Sequence, residues 1–342
     1  MSDFKIKSQK LIYHVERVGD WLKGENVYPV YMEVSPSNAC NNRCVFCAFD
    51  YREYKFRFLE TAKFKEVLKE ISGLGVKSIL YAGEGEPFFH KDMAEIIKST
   101  KENGIDVAVA SNGALFTREL AEKTLPHMTW IKFSVNAGTE EGHKKIHRGG
   151  ENDFSKLIKN IEDAVNLRRK NNYECALGVQ FLLLPENKDE VVSFADLLKN
   201  LGVDYLVVKP FISHPLSIFN KEERFSYNSI DLVSLEKELG KISNDNFNVI
   251  FRANVFKKLA SAEERGYKKC YGLPFFAEIA SDGNVFSCGP NVGEENFCYG
   301  NIYQNSFKEI WESEKRKNVL KMVEGLDVKK CMKCCRLDEV NK

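Results

Sequence analysis

The sequence predicts an α/β protein, an open or partial parallel barrel of six β–α units followed by a small C-terminal region organised by cysteines. Three observations carry this. Between residues 31 and 210, short apolar strand patterns alternate with amphipathic helical ones. Several strand patterns are near-continuous Val, Ile and Leu runs, as parallel strands covered on both faces are. From about residue 251 the alternation stops, and cysteines concentrate in the remainder.

The candidate strands are 31–36 (YMEVSP), 77–82 (KSILYA), 106–111 (DVAVAS), 130–135 (WIKFSV), 176–184 (ALGVQFLLL) and 204–209 (DYLVVK). Between them, apolar residues recur at helical spacing. Phe64, Val67, Leu68 and Ile71 share one face, as do Leu157, Ile158, Ile161 and Val165, and Val191, Phe194, Ala195 and Leu198. Gly73, Gly75, Gly104 and Gly202 punctuate helix ends. A last helix is expected around 228–242. Strand–helix–strand repetition implies right-handed crossovers. Six units are two short of a closed eight-stranded barrel, so an open form is expected, with its ligand site at the C-terminal strand ends. Beyond 251 one amphipathic helix is expected, over SFKEIWESEKRKNVLKMVEG.

The chain of 342 residues is long enough for one large domain with an appendage, and its 43% hydrophobic and 29% charged residues are a normal globular balance. Fifty Lys and Arg stand against 49 Asp and Glu, so no global charge draws the protein to nucleic acid or an anionic membrane. The first residues lack the apolar core of a signal peptide, and no stretch has the length of a membrane span. A cytoplasmic protein is therefore expected, where thiols stay reduced. In that setting clustered cysteines are metal ligands or redox groups more often than disulfides.

Cys40, Cys44 and Cys47 form a CxxxCxxC set on one loop after the first strand. Three thiolates hold three irons of a cubane and leave the fourth iron open to a ligand. A structural zinc site takes four ligands. His90 or a remote residue would have to complete one here.

The CxxxCxxC loop after the first strand, with Phe46 just before the last cysteine, resembles the radical S-adenosylmethionine (SAM) superfamily. The resemblance implies a [4Fe–4S] cluster on Cys40, Cys44 and Cys47. Its open iron chelates SAM and cleaves it reductively to a 5′-deoxyadenosyl radical that abstracts a hydrogen atom from substrate. Other strand ends agree. AGEGEP (82–87) is similar to the family's glycine-rich motif for the SAM amino group, with Gly83 and Gly85 allowing close backbone approach and Glu86 facing the ammonium. Ser111 and Asn112, then Ser134 and Asn136, are short polar residues at the next two strand ends, suited to a ribose or carboxylate, or simply to capping and turns. Gln180, within the fifth strand, and the PEN run at 185–187 that follows it are further candidates to reach SAM. Fold and motifs resemble the family over roughly 30–210.

The second cysteine group is Cys270, Cys288 after a DGNVFSC turn, and Cys331, Cys334 and Cys335 beyond the helix. It resembles the auxiliary-cluster domain of radical SAM enzymes, in the short "twitch" form of the SPASM domain. That implies one auxiliary [4Fe–4S] cluster, with Cys270, Cys288, Cys331 and Cys334 as ligands. Cys335 competes for the last position, and Cys298 can replace a ligand or serve a partial second cluster. A four-cysteine zinc site is the alternative on spacing alone. Cys175, alone in a strand, reads as a small buried side chain.

The implied organisation is an N-terminal extension (1–30), a partial (β/α)6 TIM-type barrel (31–245) and a twitch/SPASM-like domain (246–342). The implied chemistry is oxidation of a small molecule. The layout resembles aminocyclitol dehydrogenases, so a carbohydrate or nucleotide-linked sugar is expected, with the auxiliary cluster as electron acceptor and a flavodoxin or ferredoxin as electron donor. Deoxygenation and epimerisation fit the same scaffold. Peptide or protein maturation is the second reading, weakened by the short stretch before the first strand; RNA modification is disfavoured by the neutral charge. A zinc-stabilised binding module or redox sensor is the non-enzymatic alternative. Lys209 and His214, on KPFISHP past the sixth strand, are the candidate catalytic residues, with Tyr51 and Arg252 as further substrate contacts.

Overall fold

The computed structural model describes residues 8–219, 226–261 and 265–341. Six parallel strands form where expected: β1 (Tyr31–Val34), β2 (Ser78–Tyr81), β3 (Asp106–Ser111), β4 (Trp130–Ser134), β5 (Ala176–Leu183) and β6 (Tyr205–Pro210). They pair in chain order, each parallel to the next. The result is the partial-barrel α/β fold the sequence predicts.

The helices are α1 (Val15–Leu22), α2 (Thr61–Gly73), α3 (Met93–Glu102), α4 (Arg118–Thr124), α5 (Glu140–His147), α6 (Asp153–Asn171), α7 (Val191–Leu201), α8 (Leu232–Ile242), α9 (Ala253–Ala260), α10 (Phe307–Glu312) and α11 (Glu314–Glu324). α2 buries Phe64, Val67, Leu68 and Ile71, and α7 buries Val191, Phe194, Ala195 and Leu198, the stripes read from their spacing. α7 stops at Gly202, whose φ of +86° is a left-handed cap. These stripes pack on alternate strand residues, such as Leu177, Val179, Phe181 and Leu183 of β5. Burying each such side chain stabilises by roughly 1.5–3 kcal/mol. The other alternate set, including Tyr31, Glu33, Lys132, Ser134, Gln180 and Lys209, faces the inside of the barrel.

Three features depart from the sequence reading. A seventh parallel strand, β7 (Asn248–Phe251), joins β6. Then β8 (Phe276–Ile279) returns to the opposite edge and pairs parallel with β1, followed by the antiparallel strands β9 (Asn284–Phe286) and β10 (Cys298–Asn301). The sheet order is β10-β9-β8-β1-β2-β3-β4-β5-β6-β7, so the strand pairing continues past residue 245. The single C-terminal helix expected over SFKEIWESEKRKNVLKMVEG is two. Ser313 takes an extended backbone, and its hydroxyl accepts the Arg316 N–H at 3.1 Å, capping α11 and ending α10. α10 is anchored by Trp311, fully buried, whose indole N–H donates to the Val27 carbonyl at 2.7 Å.

Candidate active site

β1 ends at Val34, and the chain turns into the loop that carries Cys40, Cys44 and Cys47. Gly83 and Gly85, at the end of β2, pack directly under that loop. Gly83 has φ +99°, and a Cβ there would strike the Ser35 hydroxyl. A Cβ on Gly85 would lie 2.4 Å from the Ala39 carbonyl oxygen and 2.8 Å from that of Ser37. The close approach these glycines permit is thus made by the protein's own cysteine loop.

Glu86 is buried, and its carboxylate fastens the next strand end. It accepts the Ser111 hydroxyl and the Asn112 N–H, both at 2.7 Å, and the Phe88 N–H at 3.2 Å. Burial pushes Glu86 up to about 7, against the pull of these donors. Asn112 continues the chain, donating to Asn41 at 2.7 Å with its amide 3.9 Å from the Cys40 sulfur. The structure therefore brings Glu86, Ser111, Asn112 and Cys40 together. Ser134 and Gln180 are register neighbours on β4 and β5 and face inward beside them.

Asn136 is different. It is fully buried at φ +53°, its side-chain oxygen accepts the Leu182 N–H at 2.8 Å, and its amide lies 3.3 Å from His147. Asn187 of the PEN run holds that turn, donating to the Asn136 and Leu182 carbonyls at 2.8 Å. Both are occupied in shaping the strand exits. Phe46 packs in an apolar cluster with Ile146, Leu184 and Phe211, edge-on to His147.

The three thiols are half-buried, and each charge opposes the others. Cys40 is pushed up to about 12 by burial and then by Glu86, and Cys44 well above the ordinary thiol value by burial, then by Cys47 and Cys40. A bound cationic cluster reverses that balance and favours thiolates. Among the described residues no three His, Cys, Asp or Glu side chains converge on a single-ion position. A cubane does not require it, because each iron takes one thiolate.

His147 was not singled out by the sequence. Its Nε2–H donates to the Val135 carbonyl at 2.8 Å, which leaves Nδ1 as an acceptor 3.3 Å from the Cys44 sulfur and 3.4 Å from the Asn42 amide. Burial and the stacked His143, 4.3 Å away, hold it down to about 3. It is a neutral prop under the cysteine loop. The one available signal was the i, i+4 histidine pair of HKKIH on α5.

At the other cysteine group, Cys288 is pushed up to about 12 by burial, with Cys335 and Cys270 adding to the shift; Cys335 is pushed up to about 11 by burial, with Cys270 contributing. Cys270, Cys288 and Cys335 are thus near neighbours, with the Asn291 amide 3.1 Å from Cys288. Cys331 is exposed, and Cys334 has φ +53°. Arg265 braces the segment by donating to the Cys331 and Met332 carbonyls. Half-buried thiols backed by amide donors suit an iron–sulfur cluster. Cys298 packs apart from these, with Ala280, Phe286 and Val292, and Cys175 is a buried core residue as expected.

Inside the barrel, Glu33 accepts the Tyr31 hydroxyl at 2.9 Å and is paired with Arg336. Glu278 of β8 stands beside Glu33, buried with one oxygen unpartnered; burial first, then the Glu33 charge, pushes it well up. Lys209 reaches the same space, and burial with the charges of Arg336 and Arg252 brings it down to about 8. His214 is buried and stacked on Tyr51, ring centroids 5.3 Å apart. Its Nδ1 accepts the Leu216 N–H at 3.2 Å, so its unpartnered Nε2 carries the proton. Tyr51 donates to the Val292 carbonyl at 2.7 Å. No helix of the described residues is long and apolar enough to cross a membrane.

Comparison with known proteins agrees with this geometry. The model for the radical SAM superfamily matches residues 34–198, and that for the SPASM iron–sulfur cluster-binding domain matches 270–335. A relative from Pyrococcus furiosus, a tungsten-containing aldehyde ferredoxin oxidoreductase cofactor-modifying protein, is 24% identical over 308 residues, 84% of this chain and 81% of its own length. A probable GTP 3′,8-cyclase of Saccharolobus islandicus is 28% identical over 218 residues, covering 62% of this chain and 65% of the cyclase. Among solved structures, Streptococcus suis SuiB bound to S-adenosylmethionine superposes with a TM-score of 0.68 at 16% identity, covering 96% of this chain and 76% of SuiB. The anSMEcpe enzyme with bound AdoMet gives 0.61 at 20% identity, covering 91% and 88%. At those identities the two structures speak for the fold. With the cysteine loop, the strand-end motifs and the C-terminal cysteines all in place, the chain belongs to the radical SAM superfamily, as an enzyme with a C-terminal SPASM iron–sulfur domain that takes SAM, a [4Fe–4S] cluster and an auxiliary cluster.

Proposed function

We propose that this enzyme oxidises a hydroxyl-bearing small molecule, a carbohydrate or nucleotide-linked sugar, held inside the barrel. The observation that carries the reading is the pairing of β1 with β8. The strand that delivers Cys40 and the strand that leads to Cys288 are hydrogen-bonded neighbours, and both line the chamber, through Glu33 and Glu278. When bound, SAM and the two clusters supply hydrogen-atom abstraction by a carbon radical and an acceptor for the electron the oxidised substrate gives up.

The chain's own residues do the rest. Cys40, Cys44 and Cys47 hold the first cluster, braced by His147, Gly83 and Gly85. Glu86, Ser111 and Asn112 fix the strand ends, and Ser134 and Gln180 face SAM. Cys270, Cys288 and ligands from Cys331, Cys334 and Cys335 hold the auxiliary cluster. His214 offers an Nε2–H donor to a substrate oxygen, and Lys209 offers an ammonium. Lys209 and His214 thus touch the substrate and orient it; in this tautomer His214 is a donor and not a base, so the hydroxyl proton passes to solvent in the chamber. A flavodoxin or ferredoxin in the cytoplasm delivers the electron that starts the reaction, and residues 246–342 serve as the auxiliary domain.

The test is anaerobic turnover with SAM, dithionite and a panel of sugar phosphates and nucleotide sugars deuterated at the carbinol carbon. The expected result is deuterium in 5′-deoxyadenosine and one ketone formed per deoxyadenosine. Deuterium transfer with a product at the substrate's own oxidation level would replace oxidation by isomerisation or cyclisation.

A further inference from the structure

The inner face of the barrel carries three cations that the protein leaves unpaired. Lys132 lies on β4, Lys209 on β6, and Arg252 directly after β7. β5 separates the two lysines, with Gly178 beside Lys132 and Leu182 beside Lys209. Among the described residues none of the three side chains makes a hydrogen bond or ion pair. Lys132 has only the Trp130 ring, 5.9 Å away. Of the nearby carboxylates, Glu33 is engaged by Arg336 and Glu339 by Lys258, while burial and the Glu33 charge push Glu278 towards its neutral form.

Burying an unpaired ammonium is expensive, and a cluster of them more so. The cost shows in Lys132, whose basicity falls well below the ordinary lysine range through burial, then through Lys209, Arg336 and Arg252. Yet all three keep partial exposure, because they line an interior that solvent enters. A Cβ on Gly178 would strike the Tyr205 ring, so only glycine there lets that ring lie across β5. Tyr205, Val207 and Ile250 form a small apolar pad next to the cations.

We propose that Lys132, Lys209 and Arg252 form a subsite for a multiply charged oxyanion on the substrate, a phosphoryl or diphosphoryl group. Donors from three separate strands, Lys132 within β4, Lys209 near the end of β6 and Arg252 just past β7, suit a tetrahedral oxyanion, which presents oxygens in several directions; a carboxylate presents two in one plane. The apolar pad suits the uncharged part of the same molecule. The subsite rests on the reading of the barrel interior as the substrate chamber and narrows the substrate to a phosphorylated one. Lys132 was invisible to sequence reasoning, as one charge inside an apolar strand.

The test is calorimetric titration of the anaerobic, cluster-loaded protein with sodium pyrophosphate, inorganic phosphate, GTP and succinate. Pyrophosphate and GTP are expected to bind, with Lys132→Met and Arg252→Met each weakening them at least ten-fold and succinate binding at least ten-fold more weakly. Without ligand, each variant is expected to melt above the wild type, because an unpaired buried charge has been removed. Absence of pyrophosphate binding, equal binding by the variants, or equal binding of succinate would overturn the subsite. So would a lowered melting temperature together with lost binding, which marks the cations as structural. The titration reads no turnover. A wrong reaction class leaves its outcome intact, and a substrate oxidised without occupying this subsite would sink the subsite alone.

Discussion

Glu84, in the loop after β2, accepts the backbone N–H of Ser281 at 2.7 Å, across 197 residues of chain. Its other oxygen takes Arg52 at 2.6 Å and Arg57 at 3.4 Å, and both arginines also reach Asp282. Arg52 lies just past the cysteine loop, so this buried carboxylate joins that loop to the β8–β9 turn. Removing one partner strands buried charge, which typically costs about 3–5 kcal/mol. Glu84→Ala is expected to destabilise by about 3 kcal/mol, at the low end because Asp282 still serves the arginines. Denaturant unfolding measures it, and hydrogen exchange should rise at 281–286. A loss under about 1 kcal/mol would mean the network is dispensable.

Gly85→Ala is expected to fail at the cysteine loop. The new methyl meets backbone at Ala39, Asn38 and Ser37, which cannot move without carrying Cys40. Iron per chain should fall by about one [4Fe–4S] cluster while the auxiliary iron stays. Full iron loading with a normal spectrum would show that the loop accommodates the methyl.

The two cysteine groups should separate functionally. Cys44→Ala is expected to abolish 5′-deoxyadenosine formation. Cys288→Ala is expected to lose about four irons yet still form 5′-deoxyadenosine, with substrate oxidation slowed. Quantifying deoxyadenosine and product in parallel decides it; equal loss of both in Cys288→Ala would remove the electron-acceptor role.

Lys209 gives a signed pH dependence. The charges that act on it are the cations Arg336 and Arg252, with Lys132 also in reach. Its value is about 8 in the folded chain against 10.5 for a free lysine. Between those values the unfolded chain holds more protons, so stability rises with pH. The ligand-free protein should gain stability from pH 8 towards 10 relative to Lys209→Met, which lacks that gain. Pyrophosphate affinity should fall over the rise through 8, as the ammonium is lost. Parallel melting curves for the two proteins would refute the first part.

The sequence made much of this legible because its signals were local. Strand starts at Tyr31, Ser78 and Asp106, the stripes of α2 and α7, and the CxxxCxxC loop each lie within a short window. What stayed hidden depends on distant pairs. The contact of His147 with Cys44 spans 103 residues. β7 is as short as β1 and β2 but buries only Ile250, so it lacks their buried run. Asn136 reads as a polar strand end, and only its αL backbone and the neighbouring Asn187 reveal that it is consumed by a turn. The partner of β1 lies far downstream, which no window can see.

That last pairing sets an order of events at the ribosome. Tyr31 pairs with Phe276, so one edge of β1 waits 245 residues for its neighbour. Until then the nascent sheet presents bare amide and carbonyl groups along the strand beside the thiol loop, an invitation to intermolecular pairing. Closure over such a separation is slow. The C-terminal segment therefore finishes the sheet as well as carrying cysteines, and a chain interrupted before residue 276 would keep a sticky margin where its most oxidation-sensitive residues emerge.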